Sequence, residues 1–444
     1  MKHWIFTLCA LVFLISVCSE IDALKQGQTV LEGIYQSNAI ISHPSVVQTQ
    51  NGNMLLVFAS QNKSQNLPTQ ICAIKQNEHY HWSEPDTLLY SRWSCERPAI
   101  SRLHDGLLYL VMTQKHMDQN KGCYVILSYD DGMHFSAPRK ISIETIQSPQ
   151  THAPVLQLTD GSLLWPLEGV DSTGTRNAFV IKSMDRGETW ENPILVAKGS
   201  GKPYHPQVIE VGDKLICLMD ADQSGYLQIS VSWNGGQTWE APQNTSMYGT
   251  HPWAIHTPRG GIITCFNDQW PLGMSVRTSY DLGKTWENEK QLMARSDFQE
   301  LNITGRLIND HVCEGFFVQT KDTSNEIMRL RFPVTVANEV RGFSVKREKN
   351  GKVTLRWNEA PSSAYYIIYR KEGTVLSTEE FSTNDRYRTI KQNHFVDMVE
   401  GDSTFSYAIS SVLGYGPAIS NTTSESNLCE PAIIKPFTDE PKSK

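Results

Sequence analysis

The 444-residue sequence has no apolar run long enough to cross a bilayer. Its longest, Trp4–Val17, falls short of the roughly 20 residues that a spanning helix needs. It has no basic surplus: Lys and Arg number 40 against 47 Asp and Glu, a net charge of −7 without long single-sign blocks. Nucleic acid is therefore not an expected partner. Cysteine is sparse, with neither CxxC nor any metal-ligand spacing among Cys72, Cys95, Cys123, Cys217, Cys265, Cys313 and Cys429. Cys217, Cys265 and Cys313 sit in apolar runs that suit buried free thiols. No cofactor or metal is expected, because no HxH or HxxxH spacing supports a site built from His43, His152, His205 and His251.

What is present is an ordinary soluble composition, 39% hydrophobic and 20% charged, at a length that suggests two or three domains. Gly (29), Pro (21), Trp (11), Tyr (16) and Phe (15) lean towards β structure with many turns. Residues 1–23 read as a secretory signal: Lys2, then the apolar run, then small residues offering cleavage after Ser19 or Ala23. A secreted protein, extracellular or periplasmic, is expected. Acylation at Cys18 is the weaker reading, since Val17 is bulkier than such a site tolerates.

One pattern occurs four times, about fifty residues apart. It reads Ser128-Tyr-Asp-Asp-Gly-Met-His-Phe135, Ser183-Met-Asp-Arg-Gly-Glu-Thr-Trp190, Ser232-Trp-Asn-Gly-Gly-Gln-Thr-Trp239 and Ser279-Tyr-Asp-Leu-Gly-Lys-Thr-Trp286. Physically this is a hairpin turn: the Asp or Asn closes the loop on backbone N–H groups, Gly takes a positive φ, and the aromatic packs between sheets. Trp82-Ser-Glu-Pro85 marks an earlier, degenerate copy, with Lys75, Asn77 and His79 in place of Ser, Asp and Gly. A second motif runs in phase: His43-Pro44, Arg97-Pro98, His152-Ala153-Pro154, His205-Pro206 and His251-Pro252 each open a short apolar strand, followed by a turn and a second one. Each unit is thus a four-stranded antiparallel sheet, and six of them make a closed propeller. A sixth, weaker copy around Arg306 lacks its fourth strand, which residues near Thr29–Tyr35 could supply.

The four boxes are Asp boxes, and the chain from about 30 to 335 resembles the sialidase (neuraminidase) superfamily of six-bladed propellers. The expected architecture is all-β: a propeller over 24–337, a small β-sandwich over 338–428 and a disordered tail over 429–444. In the sandwich region Lys352–Trp357, Tyr365–Arg370 and Ser406–Val412 alternate with period two, and Trp357 followed by a Tyr resembles a fibronectin type III domain.

Topology locates the working face. The boxes and the first-to-second-strand turns share one end of the ring, so first-strand starts and second-strand ends meet at the other. That end gathers Glu168, Asp220, Asp222, Asp268, His152 and His205 as candidate catalytic groups. His43, Glu96, Arg97, His116, Tyr204, His251, Trp270 and Arg306 join them as candidate substrate contacts. Carboxylates suit acid–base cleavage of a glycoside, aromatics stack on sugar rings and arginines hold an acidic group. The chain departs from the sialidase pattern: Ser42-His43-Pro44 stands where that family has Arg-Ile-Pro, and neither its other arginines, its Asp acid nor its Tyr nucleophile is matched. The expected function is a carbohydrate-active enzyme, an exo-acting glycoside hydrolase working as a monomer on an oligo- or polysaccharide or glycoconjugate. The alternatives are a lyase acting on a uronate-containing glycan and a non-catalytic glycan-binding protein.

Overall fold

The second strand of each repeat is apolar on both faces because each sheet is stacked between two others. Leu55, Leu56, Val57 and Phe58 are all fully buried, as are Leu163, Leu164 and Trp165. The computed structural model describes residues 28–434 except 63–67, 78–79, 118, 144, 200–204, 221–223, 258–260, 296–300, 310–311, 322–323, 335–339, 349, 361–364, 400–402, 414–423 and 426–427. Residues 1–23, the expected signal segment with Cys18, lie outside the described residues.

The first blade is Ile40–Gln48, Met54–Gln61, Gln70–Gln76 and Asp86–Leu89, and the second is Ser94–Arg102, Leu108–His116, Gln119–Ser128 and Arg139–Lys140. In the third, Gln147–Thr151 and Leu156–Gln157 both pair with Leu163–Val170, followed by Arg176–Ser183 and Ile194–Lys198. The fourth and fifth share one seven-stranded sheet, because the long strand Gln243–His256 closes one blade and opens the next. The sixth has Thr304–Asn309, Val312–Lys321 and Ser324–Pro333, and its fourth strand is the N-terminal Val30–Ser37, antiparallel to Ser324–Pro333.

The ring therefore closes, as the repeat implied. Its cores lie between blades: Leu55, Val57, Leu108 and Leu110 join blades one and two, and Leu56 and Phe58 meet Phe316 and Ile327 of blade six. Closing with a strand from the other end of the propeller ties chain ends together, so neither end can fray without opening the ring.

The boxes have the structure that their residues suggest. In the third blade's box, Ser183 Oγ accepts from Gly187 N–H at 2.7 Å and Asp185 Oδ1 from Thr189 N–H at 2.8 Å, with Gly187 at φ 86°. Trp190 packs against Trp165, ring centroids 5.6 Å apart. The degenerate first copy keeps the loop by other means: Asn77 Oδ1 accepts from His81 N–H, and Ser83 Oγ from Lys75 N–H. Asp131, in the second box, accepts from the N–H groups of Gln50 and Asn51 in the first blade's first-to-second turn, which puts boxes and those turns on one face. Asp281 is buried and accepts from Ser279 Oγ, Thr285 N–H and Thr285 Oγ1. Asp281→Ala is expected to cost roughly 1–3 kcal/mol in urea unfolding while leaving the opposite face untouched. A variant as stable as the parent would mean that the turn holds without its side-chain bonds.

The chain divides into two compact units, one holding residues up to His256, Ile263–Thr278 and Trp286–Val334, the other Thr257–Ile262, Ser279–Thr285 and the residues from Thr335 on. In the second, a three-stranded sheet (Ser344–Arg347, Lys352–Arg356, His394–Met398) faces a second sheet built on Tyr365–Glu372 and Phe405–Leu413. Val353, Leu355 and Trp357 of one side meet Tyr366, Ile368 and Ile409 of the other in a sandwich core. One carboxylate is buried there: Asp397 accepts from Arg370, Tyr387 and Tyr407 at 2.6–2.9 Å. The start of the expected disordered tail is ordered instead. Ala432–Ile434 pairs with Phe405–Leu413, and Cys429 and Ile434 fill the sandwich core, because apolar Ile433–Ile434 can complete that edge. Residues 435–444 lie outside the described residues.

Candidate active site at the tunnel mouth

The Xaa-Pro pairs interrupt or open the innermost strands. Proline has no N–H to give to a ladder, so pairing breaks there, with register shifts between Ser42 and Ser45 and between Glu96 and Ala99. The preceding residue then takes a left-handed backbone: φ is 51° at His43, 56° at Arg97, 55° at His205 and 53° at His251. Non-glycine residues rarely adopt this conformation, and four copies in one ring mark a site held by its surroundings. The third blade reaches the same point differently, with its first strand split on either side of His152.

All five side chains line one cavity of ≈ 130 Å³, which Asn302–Gly305 complete from the sixth blade. The rings are in contact. His152 and His205 have centroids 4.1 Å apart and meet edge to face, and His205 and His251 are 3.7 Å apart. Arg97 Nη1 lies 2.7 Å from His152 Nδ1.

Two carboxylates stand behind the imidazoles, at the ends of second strands. Glu168 Oε1 is 3.1 Å from His152 Nε2 and accepts from Arg176 Nη1 at 2.8 Å. Asp220 Oδ2 lies 2.9 Å from His205 Nδ1, while Oδ1 accepts from the backbone N–H of His251 at 2.6 Å.

Burial dominates the electrostatics. It pushes His43, His205 and His251 each down to about 3, with Arg97 adding to the effect in all three. Burial drives His152 well below the usual imidazole range, helped by His205 and Arg97. It raises Asp220 to about 7 against the opposing pull of His251, and raises Glu168 against Arg97 and Arg176. The imidazoles are thus neutral near pH 7, with a lone pair to offer.

The sequence-based site is brought together only in part. His43, Arg97, His152, His205 and His251 converge, and Glu168 and Asp220 support them from behind rather than facing the cavity. Five candidates do not line it. Asp268 is buried and turned onto the backbone N–H of Trp270, a residue that is itself 84% exposed. Glu96 is paired with Lys115 at 2.7 Å, and exposed His116 closes the Leu108–His116 hairpin opposite Gln119. Arg306 lies further along its strand, bound to Glu314 and to Gln48 beside the box-side turn. The bulge was the missing signal, since the sixth blade has no Xaa-Pro pair and its cavity residues precede Arg306. Tyr204 and Asp222 lie outside the described residues. Arg176, the partner of Glu168, was not foreseen, having no counterpart in the other repeats.

Residues 52–294 match the family model described as a BNR repeat-like domain. A sialidase from Bacteroides fragilis is 28% identical over 199 residues, 40% of this chain and 36% of that protein, so the chain spans little more than a third of that relative. Among solved structures, a protein of unknown function from Dyadobacter fermentans has a TM-score of 0.59 at 15% identity, covering 69% of this chain and 99% of that one. A Penicillium chrysogenum α-L-arabinanase complexed with arabinobiose has a TM-score of 0.54 at 14% identity, covering 69% and 98%.

Proposed function

The chain belongs to the family of BNR repeat-like domains, within the sialidase superfamily, and on that premise we propose that it is an exported enzyme that cleaves an acidic glycan. The observation that carries this reading is the convergence of four imidazoles and one guanidinium on a single cavity, with a carboxylate behind two of the imidazoles. In this reading Arg97 receives the acidic group of the sugar through its forked N–H donors. His152, seated on Glu168, moves the proton, and the fixed carboxylate orients the ring. The small cavity admits the end of one chain rather than its middle, which supports exo action. Relatives named as a sialidase and an arabinanase favour glycoside hydrolysis. The sandwich serves as an accessory module of fibronectin type III character, a reading supported by Trp357 packed on Tyr366.

A second reading is favoured by imidazoles, not carboxylates, facing the cavity. In β-elimination His152 would take the proton beside a uronate carboxylate, a C=C bond would form, and the C–O bond to the leaving sugar would break with its oxygen taking a proton from water. Incubation with a panel of neutral, sialylated and uronate-containing glycans decides between them. New reducing ends without absorbance at about 235 nm support hydrolysis, and absorbance there supports elimination. Turnover of none, with glycan binding retained, would replace both by a lectin.

A further inference from the structure

Asp220 is a buried carboxylate with no arginine or lysine ion partner among the described residues, whereas Glu168 has Arg176. What Asp220 has instead is two imidazoles: Oδ2 lies 2.9 Å from Nδ1 of His205 and 3.8 Å from Nδ1 of His251. One donor atom from each of the three residues falls within 4.8 Å of the others. Nitrogen and oxygen donors at about 2.0–2.1 Å around zinc sit roughly 3.3 Å from one another. The two Asp220 spacings straddle that value. We propose that His205, His251 and Asp220 bind a divalent transition-metal ion of the zinc type.

Three further features support the site. His205 and His251 both precede proline in the left-handed backbone region, a strained arrangement that aims two rings at one point from adjacent blades. The site is enclosed, with the side chains of His251 and Asp220 7% and 6% exposed. The donor set, two imidazoles and one carboxylate, is that of catalytic zinc sites and differs from the all-oxygen sets of calcium and magnesium. Linear motif spacing misses such a site because each ligand comes from a different strand. His205 precedes Gln207–Val211, Asp220 follows Lys214–Met219, and His251 lies in Gln243–His256, all within one sheet. The expectation of no metal rested on spacing within single elements. It goes beyond the glycan reading and does not need it, since an inert protein with these side chains would take up the same ion.

The full chain, stripped with EDTA and dialysed, is titrated with zinc chloride by calorimetry and with cobalt(II) by visible absorption. One ion per chain and ligand-field bands from cobalt are expected. Both should be lost in His205→Gln/His251→Gln, and zinc affinity should fall in Asp220→Asn by more than the roughly 10–100-fold that losing an outer-shell partner costs. Ring ¹⁵N shifts of His205 and His251 in the wild-type chain on adding zinc give a readout that needs no variant to fold. Absence of saturable zinc uptake, unmoved ring shifts, undiminished uptake by the folded double variant, or calcium bound as tightly as zinc would each overturn the site. Zinc uptake by a chain that turns over no glycan supports the site and counts only against the enzymatic reading.

Discussion

Arg97→Ala is expected to lower kcat/KM on a carboxylated glycan by about 10²–10³-fold, because truncating one side of a buried, hydrogen-bonded charge pair costs roughly 2–5 kcal/mol. Among the described residues, Arg97 is the guanidinium that lines the cavity. Arg97→Lys should recover only part of the loss, since an ammonium keeps the charge but not the fork. Glu168 retains Arg176, so the fold should survive, and the melting temperature is measured alongside. The discriminating comparison is with the same glycan after its carboxylates are reduced to alcohols. If Arg97→Ala loses as much on the neutral substrate, the arginine does not hold the acidic group.

The largest stability effect should come from Glu314→Ala, at the far side of the sixth blade. Glu314 is 3% exposed and is approached by Arg306 at 3.1 Å, Arg331 at 3.2 Å and Arg329 at 3.8 Å. Arg329 also pairs with Glu32 of the N-terminal strand. Removing the central carboxylate leaves three crowded guanidiniums at the seam where the chain's two ends of the propeller meet. Breaking a buried ion pair from one side costs about 3–5 kcal/mol. Urea unfolding should show a loss of that size, and hydrogen exchange should rise first in Val30–Ser37. A loss below about 1 kcal/mol, or exchange rising elsewhere first, would show that apolar packing alone holds the seam.

The repeat made the propeller legible before any coordinates. A box needs Ser, Asp and Gly at fixed offsets because its hydrogen bonds span four residues, so the chemistry is written locally and recurs. The Xaa-Pro pairs are local too: proline breaks the ladder wherever it stands, which is why His43, Arg97, His205 and His251 could be named with their shared end of the tunnel. Closure by the N-terminal strand followed from counting strands.

What the sequence could not show was depth and direction. Asp268 ends an apolar strand just as Asp220 does, yet one turns onto its own loop and the other onto two imidazoles, His205 at its own blade's entry and His251 at the next. Arg306 occupies the right strand, but without a proline there is no bulge to mark which residue reaches the cavity. Glu168 and Asp220 were recognisable as chemically important, while their place behind the histidines depends on how adjacent blades pack. Periodicity along the chain determined which residues belong to the tunnel mouth. Only the packing of blade against blade decided which of them touch, because those distances span strands that are tens of residues apart in sequence and lie side by side in space.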